Sequence, residues 1–295
     1  MLLTWLDHVA CQDSAISGGK AANLSRLAVA YPVPVGFCLT TNAYARWSSA
    51  VQQQAAGEAL PAELVALLAT AYATLAQRSQ EATPAVAVRS SAVGEDGQNV
   101  SFAGQYETYL NIVGAAAVAE AVLRCWSSAQ AERVQNYQER HGALTGTTNQ
   151  PVAVLVQQLI VADCAFVAFS RNPLTGKGEE LFINANWGLG ESIVSGTATP
   201  DTYIVRKSDG VLLAQTIGDK QSMTVLGTGV KANGVQSVKV PRLLRQRASL
   251  NADQIRQVAQ LATELEATMG WAVDIEGAFQ GERLYLLQCR PVSTQ

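Results

Sequence analysis

Hydrophobic and polar positions follow two different periods along the chain, and each period predicts its own kind of element. Apolar residues three and four apart predict helices at 51–77, 115–137 and 252–269, with a shorter helix at 21–29. Short β-branched or alternating runs predict strands, namely 36–40, 86–88, 164–169, 180–183, 202–207 and 211–215. Since the helical and strand-like segments are interspersed, the sequence predicts an α/β or α+β protein.

One apolar run marks the expected boundary between two lobes. The stretch "PVAVLVQQLIV", residues 151–161, is typical of a buried strand, yet it carries Gln157 and Gln158 towards its end. Polar amides at this point indicate that the chain leaves one sheet for another. We therefore expect an N-terminal lobe of residues 1–159 and a C-terminal lobe of residues 160–295.

The last stretch, "WAVDIEGAFQGERLYLLQCRP", predicts a β-hairpin. If Phe279 pairs with Tyr285, strand alternation places Glu276 opposite Gln288 on one face, with Arg290 one step along. A two- or four-residue loop without a bulge would instead separate Glu276 and Gln288 onto opposite faces. The register therefore decides whether these side chains meet.

This hairpin face has two interpretations. A carboxylate and an amide oxygen suit Mg²⁺, and an arginine beside them suits phosphate, as a nucleotide triphosphate requires. Alternatively, Glu276, Gln288 and Arg290 line the wet face of an edge hairpin, because polar-out alternation is ordinary in antiparallel sheets. The residues alone leave both interpretations open.

Composition restricts the class of ligand and the compartment. A formal net charge of −3 gives no general attraction for nucleic acid or anionic membranes, so a phosphate ligand would be held locally by a few cations. Five cysteines without a CxxC pair argue against a disulfide framework and against a zinc site. The N-terminal segment does not fit a signal peptide, and no apolar run reaches the length of a membrane span. We therefore expect a cytoplasmic protein.

The stretch "GGKAANLSRL", residues 18–27, places Lys20 at the start of a predicted helix. A Walker A loop is excluded, because that motif needs a glycine five positions before its Gly-Lys pair and a Ser or Thr after it, where Ser14 and Ala21 stand here. If Lys20 binds phosphate, the rest of the site comes from elsewhere in the chain.

Seven motifs in order resemble the N-terminal ATP-binding module of phosphoenolpyruvate synthase, pyruvate phosphate dikinase and rifampicin phosphotransferase. They run from about residue 12 to residue 292 and are "GGKAANLSRL", "VPVGFCLTTNAY", "VRSSAVGEDGQNVSFAGQYETYLN", "VLVQQLI", "FSRNPLTG", "NANWGLGESIVSGTATPDTY" and "DIEGAFQGERLYLLQCRPV". The resemblance implies an ATP-grasp fold, in which two α+β lobes clamp the nucleotide, with ATP and Mg²⁺ as cofactors.

The resemblance also implies roles for individual residues. Catalytic contacts to the phosphates would come from Lys20, Arg89 and Arg290, and the metal ligands would be Glu276 and Gln288. The remaining nucleotide contacts would be the loop around Gly104, the adenine hinge of Gln157, Gln158 and Leu159, Ser170 near the phosphate path, and Glu191 near the ribose or elsewhere on the nucleotide. One departure is Gly277, which stands where the family often has a bulky residue after the metal-binding Glu.

The function implied is that of an ATP-dependent phosphotransferase, giving AMP and phosphate. Family members that complete the cycle carry a swivelling domain with a phosphorylated His, and we expect no such domain in this chain. Its two histidines, His8 and His141, lie outside any motif of that kind, so the acceptor His is expected on a partner protein or domain. Two alternatives stay open: direct transfer to a small molecule, and a nucleotide-sensing module without turnover.

Overall fold

The computed structural model describes residues 1–50, 59–94, 107–140, 151–228 and 233–292. Two predicted or discussed positions, Gly104 and His141, lie outside the described residues. The chain divides into two compact units: Met1–Ala30 together with Pro34–Leu159, and Tyr31–Val33 together with Ile160–Gln295. Both units mix helices and strands, so the predicted α+β class is confirmed.

The first unit is built on one antiparallel sheet. Its elements are β1 (Leu3–Trp5), a 3₁₀ helix (Val9–Gln12), α1 (Ser14–Leu27), β2 (Gly36–Leu39), α2 (Thr41–Trp47), α3 (Ala62–Ser79), β3 (Ala85–Ala92), β4 (Thr108–Val113), α4 (Ala115–Arg140) and β5 (Val152–Gln158). The strand order is β1-β2-β5-β3-β4. Side chains of α2, α3 and α4 form a core with Val86, Val88 and Val154 on one sheet face. Helix α1 packs against β3 and β5.

Three helices of this unit differ from the prediction. Helix α1 begins at Ser14, where Asp13 caps it, and not at 21, and the predicted helix is wrong for 28–29, which form a turn. Helix α3 begins at Ala62, and the predicted start at 51 is wrong for 59–61, because Pro61 disfavours helical backbone in the residue before it. Residues 51–58 lie outside the described chain. Helix α2 was not predicted, since seven residues carry too little periodicity. Within the described ranges, no helix combines the length and apolar character that a membrane span needs.

The second unit holds a larger sheet and a two-stranded ribbon. Its elements are β6 (Cys164–Phe169), β7 (Glu180–Trp187), α5 (Glu191–Val194), β8 (Asp201–Arg206), β9 (Leu212–Thr216), β10 (Ser222–Leu226), β11 (Val235–Lys239), α6 (Arg242–Arg245), α7 (Ala252–Met269), β12 (Val273–Gln280) and β13 (Arg283–Pro291). The large sheet is antiparallel in the order β13-β12-β6-β7-β8-β9, and β10 pairs with β11. Helix α7 begins with the predicted Asn251 cap and ends at Gly270.

Strand alternation gives the large sheet two different faces. Ile275, Ala168, Ile183 and Tyr203 lie in one cross-strand row and are fully buried. Helix α7, with its buried apolar stripe, packs on β12 and β6 and covers this face. The residues one position along belong to the opposite face, where Glu276 is only half-buried. That second face carries the predicted metal ligands.

Candidate functional site

Four polar side chains form a block on the C-terminal hairpin. Glu276 in β12 pairs with Gln288 in β13, and two residues along, Asp274 pairs with Arg290. Since residues two apart in a strand share a face, all four belong to the face opposite α7. Asp274 and Gln288 are buried, each 5 % exposed, whereas Glu276 and Arg290 are half-buried.

The register that produces this block differs from the predicted one. Phe279 pairs with Leu284, and Tyr285 pairs with Ala278, so the predicted pairing of Phe279 with Tyr285 is wrong. The two-residue turn sets that pairing. A one-residue shift between Glu276 and Gly277 then brings Gln288 opposite Glu276. The predicted meeting of Glu276 with Gln288 therefore occurs, but through a β-bulge.

Asp274 is a candidate residue that sequence reasoning missed. Arg290 donates a hydrogen bond from Nε to Asp274 Oδ2 at 2.8 Å. The other oxygen, Asp274 Oδ1, is buried without a hydrogen-bond partner in the part of the chain that the structure describes. Burial raises the pKa of Asp274 to about 6, although the Arg290 guanidinium acts to lower it and Glu276 adds to the rise. The alternation that singled out Glu276 also includes Asp274, two residues earlier.

The donor set of this block fits Mg²⁺. Hard oxygen ligands are available from the carboxylates of Glu276 and Asp274 and from the Gln288 amide, and one buried oxygen of Asp274 lacks a partner. In the described ranges no group of three or more His, Cys, Asp or Glu could hold a metal. Mg²⁺ keeps several waters in proteins, so a site with few protein oxygens suits it.

The structure explains why Gly277 follows Glu276. A Cβ at Gly277 would lie 2.3 Å from Phe166 Cζ and 2.8 Å from the Tyr285 carbonyl oxygen. Phe166 pairs with Gly277 across the sheet and is buried. Its ring occupies the volume that a larger residue would take at position 277.

The glycine motif of the first unit is pressed against the end of β3. Gly18 has φ 73° and ψ 172° and divides α1 into two helical segments. A Cβ at Gly18 would lie 1.9 Å from the Ser91 carbonyl oxygen. The Ala21 N–H donates to Ser91 Oγ at 3.1 Å, and Lys20 Nζ donates to the Ser90 carbonyl oxygen at 3.4 Å. Lys20 is therefore held at the C-terminal end of β3.

Arg89 lies beside this contact. It precedes Ser90 in β3 and is 9 % exposed. Because Val86 and Val88 face the core of α2, α3 and α4, alternation places Arg89 on the same face as Ser91, which is the face of α1. The structure thus brings the two predicted cations Lys20 and Arg89 to neighbouring positions, and paired cations suit phosphate oxygens.

The predicted hinge residues lie at the end of β5 and their polar groups have partners within the first unit. Gln157 Nε2 donates to the Pro34 carbonyl oxygen at 3.4 Å, and Gln158 Nε2 donates to Glu81 Oε1 at 2.8 Å. The Leu159 N–H donates to the Ala85 carbonyl oxygen at 2.9 Å. Their contact with adenine stays a prediction.

Two further predicted residues lie in the second unit. Ser170 is fully buried, its Oγ accepts from the Val273 N–H at 2.8 Å, and its own N–H donates to the Val273 carbonyl oxygen. Ser170 therefore fastens the end of β6 to the start of β12, one residue before Asp274. Glu191 is the exposed first residue of α5. The nucleotide contacts of both residues stay predictions.

Comparison with known families agrees with this chemistry. The family described as pyruvate phosphate dikinase, AMP/ATP-binding domain, matches residues 44–295. The chain belongs to this family. The predicted family relationship is confirmed.

Several named proteins are similar to almost the whole chain. A probable phosphoenolpyruvate synthase of Methanocaldococcus jannaschii is 33% identical over 99% of the chain and 27% of the relative. A phosphoenolpyruvate synthase of Pyrococcus furiosus is 31% identical over 99% of the chain and 44% of the relative. A rifampicin phosphotransferase of Streptomyces sviceus is 33% identical over 95% of the chain and 34% of the relative. The chain thus spans between about a quarter and a half of the length of these relatives.

Proposed function

We propose that the chain binds ATP with Mg²⁺ and transfers a phosphoryl or pyrophosphoryl group to a histidine on a partner protein or domain, with AMP and phosphate as end products. The observation that carries this proposal is the block of Asp274, Glu276, Gln288 and Arg290 on one sheet face, in a chain of a nucleotide-binding family. The same proposal assigns an ATP-grasp fold, with residues 1–159 and 160–295 as its lobes.

Each polar group has a defined role in the proposed reaction. Glu276 and Gln288 hold Mg²⁺, which when bound neutralises charge on the phosphate oxygens. Arg290 binds phosphate and is itself oriented by Asp274. Lys20 and Arg89 add positive charge, since phosphoryl transfer needs charge neutralisation and alignment more than covalent help from the protein.

The remaining residues would define the rest of the nucleotide site. The loop around Gly104 covers the phosphates. Adenine packs against the hinge of Gln157, Gln158 and Leu159, with Ser170 and Glu191 near the phosphates and ribose.

Two observations support an acceptor outside this chain. The phosphoenolpyruvate synthases and the rifampicin phosphotransferase are named for different compounds, yet all match this chain and all are much longer. Among this chain's own histidines, His8 Nδ1 accepts a hydrogen bond from the Ala10 N–H at 3.1 Å and caps a short helix. A partner with its own histidine therefore fits better than transfer to His8.

The test is incubation of the chain with ATP and Mg²⁺, with and without candidate partner proteins, followed by analysis of the nucleotides. AMP that forms only with a partner supports the proposal. Turnover that needs only a small-molecule acceptor would establish direct transfer instead, and ATP binding without any turnover would establish a sensor.

Site variants make the test specific. Glu276→Ala and Arg290→Ala are expected to abolish turnover while the far-UV circular dichroism stays that of the wild type. Glu282→Ala, which removes an exposed carboxylate from the turn of the same hairpin, is the control and is expected to keep wild-type rates. Wild-type turnover in either site variant would reject the site assignment.

A further inference from the structure

The face that carries Glu276 continues across three more strands. Register places Gln288, Glu276, Val167, Asn184 and Thr202 in one cross-strand row, from β13 to β8. Neighbouring strands lie about 4.8 Å apart, so the Asn184 backbone lies roughly 10 Å from that of Glu276. Asn184 is half-buried, and the residue between them is the short side chain of Val167. Asn184 thus places a polar group on the face of the proposed metal ligands, two strands from Glu276 and three from Gln288.

The side-chain amide of Asn184 forms a hydrogen bond through its oxygen, and its nitrogen can still donate to a ligand. Thr202 Oγ1 donates to Asn184 Oδ1 at 2.9 Å, which fixes the oxygen end of the amide. Nδ2 donates to no group in the described ranges, and it is not fully buried. The result is a neutral donor held in one orientation by a neighbouring strand.

Asn186 lies on the same strand and face as Asn184 and serves as a comparison, because its side chain has a purely structural role. It is fully buried, and its Nδ2 donates to Ser192 Oγ at 3.0 Å and to the Ser222 carbonyl oxygen at 3.1 Å. Its Oδ1 accepts from the Trp187 N–H at 2.9 Å. Both ends of the Asn186 amide therefore serve the fold, whereas only one end of the Asn184 amide does.

We propose that Asn184 is a further nucleotide-binding residue, whose Nδ2 donates a hydrogen bond to a phosphate oxygen of the ATP bound at Glu276 and Gln288. This inference rests on the proposed function. A triphosphate that starts at the metal ligands can extend over the small Val167 side chain towards Asn184. A neutral donor suits this position, because it binds an anionic oxygen and brings no carboxylate to repel it.

The test is titration calorimetry of the full chain with Mg·ATP and, separately, with Mg·tripolyphosphate. Asn184→Ala is expected to raise the Kd of both ligands by roughly tenfold to a hundredfold, as loss of a hydrogen bond to a charged group does. Asn184→Asp is expected to raise it further, because its carboxylate faces phosphate. The Tm without ligand should stay within about 2 °C of the wild type in both variants. Gln280→Ala, at the exposed end of β12, is the control and should bind as the wild type does.

The outcomes separate this inference from the proposed function. If Glu276→Ala abolishes binding while both Asn184 variants bind as the wild type does, the role of Asn184 is wrong and the proposed site stands. If Glu276→Ala binds as the wild type does, the proposed site itself is wrong. If Asn184→Ala weakens Mg·ATP but not Mg·tripolyphosphate, the amide contacts ribose or base, and the assignment to phosphate is overturned.

Discussion

Glu276 faces Gln288 across the C-terminal hairpin through a one-residue shift of register between Glu276 and Gly277. The turn pairs Gln280 with Arg283, and without the shift this register would place Leu287 opposite Glu276. Gln288 would then lie on the face of α7. Bulges re-aim side chains in this way next to functional sites, so the bulge is part of the candidate metal site.

Gly277→Ala is expected to lower the free energy of unfolding by about 1–3 kcal/mol, because its Cβ would overlap the Phe166 ring. The measurement is urea denaturation. Gly178→Ala is the control, with open space around its Cβ and an expected change within about 0.5 kcal/mol. In the Gly277→Ala background, Phe166→Leu should restore part of the loss. An equal loss with and without Phe166→Leu would show that the ring is not the cause.

Gly18→Ala is expected to lower the free energy of unfolding by about 2–5 kcal/mol, more than Gly277→Ala does. The reason is that a positive φ combines with a Cβ 1.9 Å from the Ser91 carbonyl oxygen. Gly114→Ala is the matched control: its φ is 91°, but nothing lies within 4 Å of its Cβ. It should cost about 1–2 kcal/mol, the strain of the backbone alone. Both free energies of unfolding are measured by urea denaturation. Equal decreases in the two variants would show that the close approach of α1 to β3 does not contribute to the destabilisation.

Sequence reasoning predicted the elements with a strong local pattern. The α7 stripe, its Asn251 cap and the Gly270 stop are all local, and the structure has them. Alternation also placed Glu276 and Gln288 opposite each other, as found. The bulge could not be predicted, because it depends on how the turn and the neighbouring strand β6 fix the two ends of the hairpin.

Contacts between residues that are far apart in the sequence could not be predicted from the local sequence pattern. Lys20 reaches the Ser90 carbonyl over 70 positions of sequence, and no periodicity reports such a contact. Asp274 was predictable in principle, since it shares the alternation of Glu276, but its burial and its bond to Arg290 follow from the packing of β12 between β13 and β6. The local sequence pattern therefore does not predict which polar side chains become buried.

Asp274→Asn is expected to weaken the binding of Mg·ATP without lowering the stability of the fold. Burial raises the pKa of Asp274 to about 6, so the ionised form is disfavoured in the folded chain, and the neutral Asn should keep or raise the free energy of unfolding at neutral pH. The half-buried Arg290 keeps access to water when the carboxylate is removed. The Kd of Mg·ATP, measured by calorimetry, should rise at least about tenfold. An unchanged Kd would exclude Asp274 from the site.

Lys220→Met tests the one ion pair of the described residues in which both side chains are fully buried. Lys220 Nζ lies 2.5 Å from Asp201 Oδ1 and also donates to the Gly218 carbonyl oxygen at 3.1 Å. Removing the lysine leaves the Asp201 carboxylate charged in the interior, which typically costs 3–5 kcal/mol. Ser249 still donates its N–H and hydroxyl to Asp201 at 2.7 Å, so we expect a loss near the lower end, about 3 kcal/mol.

An exposed ion pair that starts from the same strand, β8, is the control for the effect of burial on the Lys220–Asp201 pair. Arg206 pairs with Asp209 at 2.9 Å, with both side chains more than 40% exposed, and Arg206→Ala should cost at most about 1 kcal/mol. Both losses are measured by urea denaturation at low and high salt, and only the small one should shrink with salt, because buried charges are poorly screened. Adding Asp201→Asn to Lys220→Met should recover part of the large loss, since no charge then remains in the interior. If the double variant is as unstable as the sum of the two single changes, the penalty comes from lost packing and not from the unpaired carboxylate.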